Sequence, residues 1–403
     1  MAVSAVFAPS RLSGAVFAPP SKSVAHRAVL CAALADGQSA VRHLAMSDDI
    51  AATLSAVRAF GAAVDGEGDE RTICGARGFD CAMVDCAESG STLRFCIPVA
   101  AALTDGTCRF VGRGRLGARP LGEYEKIWKE RGLFWQNSSE GGALDLTVGG
   151  RLRGGVFEMR GDVSSQFFSG ILFALPLVGG ELRATTPLAS RAYIDMTIAA
   201  MREFGVSVEE RDGVFRAAGK YEPRDFTVEG DWSQAAFFAV ANFVGSEVEI
   251  QGLKADSLQG DRAIVPMLER LKGEGDLVFD GEQCPDIIPV FALACALREG
   301  RRTRLVGLER LKIKECDRLA ATYEMLKTLG ADIVRDGDEL TIKGRARLRG
   351  GKVTSCGDHR MAMTAAIAAL ACEVEVEVDD VGCMSKSYPD FLQQYTRLGG
   401  RVQ

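Results

Sequence analysis

The sequence predicts an α/β protein of two domains, each built from three copies of one unit. Three observations carry that expectation. One pattern recurs six times along the chain: a polar turn, an Ala/Leu/Phe-rich helix, a more amphipathic helix and a short strand. The repeats start roughly 53 to 74 residues apart, too long for a solenoid and long enough for a small α/β unit. Finally, 403 residues exceed what one hydrophobic core usually serves.

The apolar helices begin near Ser21, Ser89, Val163, Trp232, Pro285 and Asp358. Their cores span 28–35, 93–103, 167–177, 235–243, 287–297 and 361–370. They are apolar nearly all round, so burial on every side is expected. The second helices begin near Asp48, Pro120, Tyr193, Asp261, Glu315 and Pro389. Three of them end alike, at Phe60-Gly61-Ala62, Phe204-Gly205-Val206 and Leu329-Gly330-Ala331. A glycine there stops a helix, and an alternating strand follows. At the midpoint, Phe226-Thr227-Val228-Glu229-Gly230-Asp231 reads as a strand ending at a glycine, where the domain changes. A second crossing is expected near Ala18-Pro19-Pro20, with a first strand at 14–17 pairing with the C-terminal half. The expected domains are 1-18 with 230-403, and 19-229.

Composition excludes several classes. The net charge of −6 argues against a general nucleic-acid surface, which needs a basic face. No apolar run reaches the ~18 residues of a membrane span. There are 12 cysteines but no C-x-x-C pair, the closest two being Cys81 and Cys86. Cys31, Cys295 and Cys372 lie in apolar runs, where a free thiol packs as a small hydrophobe. The three histidines, His26, His43 and His359, are far apart, so no metal site is expected. The first 14 residues hold one Arg and no long apolar stretch, so no signal peptide is read there, and a reducing cytoplasm fits.

The polar turns ahead of the helices hold the chemistry. Pro20-Ser21-Lys22-Ser23-Val24-Ala25-His26-Arg27 sets two hydroxyls and two cations at a helix N-terminus, whose unpaired amides favour an anion. A capped helix with two solvated cations would look the same. In Ser89-Gly90-Ser91-Thr92-Leu93-Arg94, Gly90 lets a ligand approach the backbone. Gly112-Arg113-Gly114-Arg115-Leu116-Gly117 matches G-x-G-x-x-G, but two arginines stand where backbone must hug a pyrophosphate. A turn presenting Arg115 and Arg119 to a small anion, or a plain loop, is expected instead. Val163-Ser164-Ser165-Gln166 offers two hydroxyls and an amide to a phosphorylated or polyhydroxylated ligand. Asp286 heads a buried helix, either complementing its dipole or accepting a proton from a substrate hydroxyl. In Lys312-Ile313-Lys314-Glu315-Cys316-Asp317-Arg318, Lys314 and Arg318 are i,i+4 and are expected to share a helix face. Arg360 and Lys386 repeat the motif of a cation at a helix start. If the repeats stack in register, Lys22, Arg27, Arg94, Arg119, Lys314, Arg318, Arg360 and Lys386 converge on a multiply charged anion.

Six of these motifs, in this order, resemble the 5-enolpyruvylshikimate-3-phosphate (EPSP) synthase family. They are Pro20-Ser21-Lys22-Ser23 with Arg27, Ser89-Gly90-Ser91 with Arg94, Arg119-Pro120, Val163-Ser164-Ser165-Gln166, Lys314-Glu315 with Asp317-Arg318, and Asp358-His359-Arg360-Met361-Ala362-Met363. The likeness spans residues 14 to about 395. It implies a two-domain inside-out α/β barrel, each domain of three βαβαββ repeats, with the active site in the cleft between them. It implies transfer of the enolpyruvyl group of phosphoenolpyruvate to the 5-hydroxyl of shikimate 3-phosphate, releasing phosphate, on the shikimate pathway to aromatic amino acids. No metal, organic cofactor, nucleic acid or membrane partner is expected, and a monomer is.

By the same resemblance, shikimate 3-phosphate would be held by Lys22, Ser23, Arg27, Ser164, Ser165, Gln166, Ser190, Tyr193, Asp286 and Lys314. Phosphoenolpyruvate would be held by Lys22, Gly90, Arg94, Arg119, Gln166, Arg318, Arg360 and Lys386. Asp286 would act on the 5-hydroxyl, Glu315 would shuttle a proton at C3 of the enolpyruvyl group, and Lys22 would assist at the phosphate and hydroxyl. The chain departs from the family's pattern at Glu88 and Arg310, where Asn is frequent, and at Lys312, where Arg is common. The sister transferase acting on UDP-N-acetylglucosamine is the nearest alternative. It would show Lys-Asn in place of Lys22-Ser23 and a reactive Cys in the 115–119 loop, which has none. An inactive anion-binding homologue would lack one of Lys22, Asp286 or Glu315, and all three are present.

Overall fold

Apolar and amphipathic helices alternate along the computed structural model, which describes residues 3–75 and 83–403. Cys81, from the closest cysteine pair, lies outside the described residues. Each apolar helix is followed by a more polar partner. The pairs are α1 (Lys22–Leu34) with α2 (Asp48–Ala59), α3 (Gly90–Leu103) with α4 (Gly122–Glu130), and α5 (Ser165–Val178) with α6 (Arg191–Glu203). In the second half they are α7 (Trp232–Phe243) with α8 (Ile264–Leu271), α9 (Ile288–Ala296) with α10 (Arg318–Thr328), and α11 (His359–Ala369) with α12 (Phe391–Arg397). Every residue of α9 and of α11 is buried, whereas α4 buries only Tyr124, Ile127 and Trp128. An apolar stripe suffices for a helix with one dry side; a helix surrounded by others must be apolar throughout.

Residues Pro20–Glu229 form one compact unit with its own core. It holds three four-stranded sheets of one topology. They are Phe226–Thr227, Gln38–Arg42, Arg71–Cys74 and Ala63–Asp65; then Met83–Asp85, Thr107–Gly112, Leu144–Gly149 and Phe134–Asn137; then Val156–Met159, Glu181–Ala184, Val214–Gly219 and Val206–Arg211. In each sheet the first two strands run parallel and the last two form an antiparallel hairpin. In the second and third, the parallel pair flanks the apolar helix in sequence, as a crossover connection requires.

Met1–Pro19 and Gly230–Gln403 form the other unit. One sheet, Leu277–Asp280, Arg302–Val306, Glu339–Lys343 and Asp332–Asp336, has the same order. A second, Gly351–Val353, Val376–Val378, Ala5–Ala8 and Arg401–Val402, has it too, but its third strand comes from the start of the chain. Among the described residues, the remaining sheet is the parallel pair Ser13–Phe17 and Glu247–Gln251. The strand expected at 14–17 therefore pairs with the second half, but it is not the first: Ala5–Ala8 precedes it. The chain passes from unit to unit beside Pro19 and Gly230. Asp231 N–H donates to Pro19 O (2.8 Å) inside one unit, and Ser21 N–H donates to Glu229 O (2.7 Å) inside the other.

Candidate active site

In the unit of 20–229 the candidate residues cluster at the starts of α1, α3 and α5. Ser21, Ser89 and Ser164 are the N-caps, and each hydroxyl accepts an amide of the first turn. Lys22 opens α1 and pairs with Asp49 of α2, Nζ to Oδ2 2.7 Å. One turn on, Arg27 is buried. Its Nε donates to Thr197 Oγ1 (2.8 Å), Nη1 to Ser23 O (2.7 Å) and Nη2 to Tyr193 O (2.8 Å), and the guanidinium lies over the Phe95 ring. All three acceptors are neutral. Burial, with no carboxylate partner among the described residues, pulls the Arg27 guanidinium down to about 10. The neighbouring His26 is buried as well. Burial first, then Lys22 and Arg27, hold its imidazole well below the ordinary value, so it is neutral at pH 7. Its Nδ1 meets Thr53 Oγ1 (2.7 Å), which meets Thr92 Oγ1 (2.7 Å), which donates to the Ser89 cap (2.8 Å). That chain ties the α1 start to the α3 start.

Arg94 of α3 is buried too. It donates to Gln166 Oε1 (2.7 Å) and Pro120 O (3.0 Å), and Gln166 Nε2 donates to Ser91 Oγ (3.0 Å). Arg119 ends a 3-10 turn, Leu116–Ala118, and its guanidinium lies against the Cα of Gly90. Any Cβ at position 90 would sit 2.6 Å from Arg119 Nη1. The space expected for a ligand beside Gly90 is thus filled by Arg119 itself. Ser165 follows its cap in the first turn of α5. Ser190 caps α6 from a left-handed conformation, φ +50°.

In the other unit, Asp286 is the hub. Its Oδ1 accepts from Lys314 Nζ (3.0 Å) and Arg318 Nη1 (2.9 Å), and its Oδ2 from Arg360 Nη2 (3.0 Å). Arg318 also donates through Nη2 to Glu315 Oε2 (2.6 Å) and through Nε to Asp358 Oδ2 (2.7 Å). Asp358 is fully buried; it caps α11 by accepting the Arg360 N–H (2.9 Å). Lys386 Nζ donates to Gly357 O (2.9 Å), just ahead of that cap. Three cations thus face three carboxylates within one network. Burial pushes the Asp286 carboxyl up, but the fields of Arg360, Lys314 and Arg318 outweigh it and hold the group well below the carboxylate range. Burial likewise draws the Lys314 ammonium down against the pull of Asp286, with Arg318 and Arg310 adding to the fall.

One expectation needs correction. Lys314 and Arg318 share no helix face: α10 starts at Arg318 with Asp317 as N-cap, and Lys314 ends a 3-10 turn, Glu309–Ile313, in extended backbone. They meet through Asp286 instead. Asp286 heads α9 from the turn just before its N-cap, Ile287, and from there reaches α10 and α11.

The family model for EPSP synthase (3-phosphoshikimate 1-carboxyvinyltransferase) matches residues 6–395. The chain belongs to the EPSP synthase family. It is 44% identical to the 3-phosphoshikimate 1-carboxyvinyltransferase of Clostridium botulinum strain Eklund 17B, over 97% of this chain and 96% of the relative. Its identity to the enzyme of that name from Clostridioides difficile strain 630 is 40%, over 98% and 97%. Among solved structures, the EPSP synthase from Acinetobacter baumannii superposes with a TM-score of 0.81 at 23% identity, covering 99% of both chains. The enolpyruvyl transferase NikO from Streptomyces tendae gives 0.77 at 18%, covering 99% and 98%. The fold is that of the enolpyruvyl transferases, an inside-out α/β barrel in each of two domains.

Two residues of the network, Asp49 and Thr197, escaped the sequence reading, and Asp358 was read only as a helix start within its motif, not as a partner of Arg318. A carboxylate at a helix start reads as ordinary dipole complementation. Thr197, which receives Arg27 Nε, lies mid-helix with no motif around it.

Proposed function

We propose that this chain is a 3-phosphoshikimate 1-carboxyvinyltransferase, which moves the enolpyruvyl group of phosphoenolpyruvate onto the 5-hydroxyl of shikimate 3-phosphate and releases phosphate. The observation that carries the proposal is the Asp286 network, an ionised carboxylate on three cations with Glu315 on the same arginine. In the addition step Asp286 takes the 5-hydroxyl proton as the oxygen attacks C2, and Glu315 gives a proton to C3. In the elimination step Glu315 takes a proton back from C3 and phosphate leaves. No oxidation state changes overall, so acid–base side chains and fixed charge suffice.

Shikimate 3-phosphate is assigned to Ser23, Arg27, Ser164, Ser165, Gln166, Ser190, Tyr193, Asp286, Lys314 and Lys22. Phosphoenolpyruvate is assigned to Lys22, Gly90, Arg94, Arg119, Gln166, Arg318, Arg360 and Lys386, with Gly90 acting through Arg119. Arg27 supports the first assignment: a buried cation whose acceptors among the described residues are all neutral is stabilised by an incoming anion. The second is supported by the hold on Asp286. Without ligand its carboxylate is too weak a base; an anion that shares Arg318 and Arg360 relaxes their pull and raises its basicity. The working unit is proposed to be a monomer in the cytoplasm. Among the described residues no helix is long and apolar enough to cross a membrane.

Phosphate release tests the assignment. It is expected only when both substrates are present, and to persist in chelator. Release from phosphoenolpyruvate alone, or loss in chelator with recovery on adding a divalent ion, would refute it.

A further inference from the structure

Five of the six apolar helices bring a residue to the site assigned above, from the helix itself or, for α9, from the turn ahead of it. The start of α7, which brings none, is nonetheless bound into the Asp286 network. Asp231 caps α7, and its Oδ1 accepts the N–H of Ser233 (2.8 Å) and of Gln234 (3.2 Å). The same oxygen accepts the Ser233 hydroxyl at 2.6 Å. Ser233 Oγ in turn accepts from Arg360 Nη2 (3.0 Å), the nitrogen that also donates to Asp286 Oδ2 (3.0 Å). Asp231, Ser233 and Arg360 are all buried. The backbone around the cap is pinned as well. Asp231 N–H donates to Pro19 O (2.8 Å), Trp232 N–H to Gln259 Oε1 (3.0 Å), and Gln259 Nε2 to Gly230 O (2.8 Å).

These bonds have a direction. An ionised carboxylate can only accept, so the single hydroxyl proton of Ser233 goes to Asp231. The lone pairs of Ser233 then face a donor, and Arg360 supplies it. Nη2 carries two hydrogens, one for Ser233 and one for Asp286. The plane of the guanidinium is thereby set from two sides, by α7 and by the turn ahead of α9. Arg360 stands in the first turn of α11, where the helix dipole repels a cation, so its place there depends on its acceptors.

We propose that Ser233, oriented by Asp231, is a positioning residue that sets the Arg360 guanidinium for phosphoenolpyruvate. The inference rests on the activity and the Arg360 assignment proposed above. Removing the hydroxyl spares the helix start, because Asp231 still accepts two backbone amides. Phosphate release with both substrates is measured first on the wild-type protein and then on the variants. Ser233→Ala is expected to raise KM for phosphoenolpyruvate about tenfold, the size of one hydrogen bond to a charged group. The KM for shikimate 3-phosphate and kcat are expected to stay within about twofold. Ser233→Cys, nearer in size but a weak acceptor, is expected to do the same. Ser233→Thr keeps the hydroxyl and is expected within about threefold of wild type. A serine needed only for folding would instead lower the amount of active protein, and so kcat, with both KM values unchanged. In an Arg360→Ala background, Ser233→Ala should add less than about twofold, because the pair is in contact. An unchanged KM for phosphoenolpyruvate in both Ser233→Ala and Ser233→Cys, a fall in kcat alone, or full additivity with Arg360→Ala overturns the proposal. Wild-type protein without turnover overturns the activity and this inference together, and is told apart because no variant has yet entered the comparison.

Discussion

Replacing Gly90 by alanine probes how the start of α3 is used. The new Cβ would lie 2.6 Å from Arg119 Nη1, 2.8 Å from Cζ and 3.1 Å from Nη2. Non-bonded carbons settle at about 3.5–4.0 Å, so the guanidinium must retreat by roughly 1 Å. The backbone does not resist, because Gly90 is helical and alanine suits that conformation. Alanine gains about 0.4–1 kcal/mol through the unfolded chain, which offsets much of the crowding against a flexible side chain. Stability is therefore expected to change by less than about 1 kcal/mol. Catalysis is less forgiving, since a displacement of about 1 Å in a positioning group costs up to about 10²-fold. The expected result is a KM for phosphoenolpyruvate raised about tenfold, with the KM for shikimate 3-phosphate within about twofold. Steady-state kinetics against each substrate in turn reads this out. In an Arg119→Ala background the Gly90 change should add little, because the pair is in contact. An unchanged KM for phosphoenolpyruvate, or full additivity of the two changes, would refute the route through Arg119.

Glu315→Gln keeps the shape that receives Arg318 and deletes the acid–base group, so kcat should fall about 10²–10⁴-fold while calorimetry still detects shikimate 3-phosphate; a kcat within a few-fold of wild type removes Glu315 from the proton path. Asp358→Asn removes one of three carboxylates from buried Arg318, which keeps Asp286 and Glu315, and a loss of about 1–3 kcal/mol is expected from urea midpoints; an unchanged midpoint would show that Asp286 and Glu315 suffice to hold Arg318. Asp286 is held below the carboxylate range when folded and titrates near the ordinary value of about 3.9 when unfolded. Its contribution is therefore present above about pH 4 and lost as pH falls toward the folded value. Asp286→Asn should flatten that acid limb of the stability curve, and an unaltered limb would contradict the ionised hub.

The helices were legible because their chemistry is local. An all-round apolar run such as 287–297 admits only a buried element, and Ser21, Ser89 and Asp358 mark their helix starts by capping. Membership of the family was equally plain from six short motifs in order. The sheets were harder. Four of the described sheets carry a hairpin as well as a parallel pair, and nothing in residues 5–8 reveals that they complete a sheet with 376–378 and 401–402, because that pairing is set by long-range closure. In the site, the sequence named Lys314, Arg318 and Arg360 but not the carboxylate geometry that gathers them. The i,i+4 spacing misled because a 3-10 turn ends at Lys314 and a helix N-cap, Asp317, stands between it and Arg318. Gly90 was singled out for its lack of a side chain, yet what fills the space, Arg119, stands 29 positions away and only the folded chain brings it there.

The central claim is that protons are added to and removed from C3 of the enolpyruvyl group while it passes to the 5-hydroxyl. Running the reaction in deuterium oxide tests it most directly. Glu315 exchanges with solvent between turnovers, so the addition step delivers a deuteron to C3 and the elimination step removes one of three hydrogens. Proton NMR of the product should then show deuterium in the vinyl CH₂ group, dependent on the presence of shikimate 3-phosphate and lost in Glu315→Gln. Product formed at the full rate with a wholly protiated vinyl group would contradict the account.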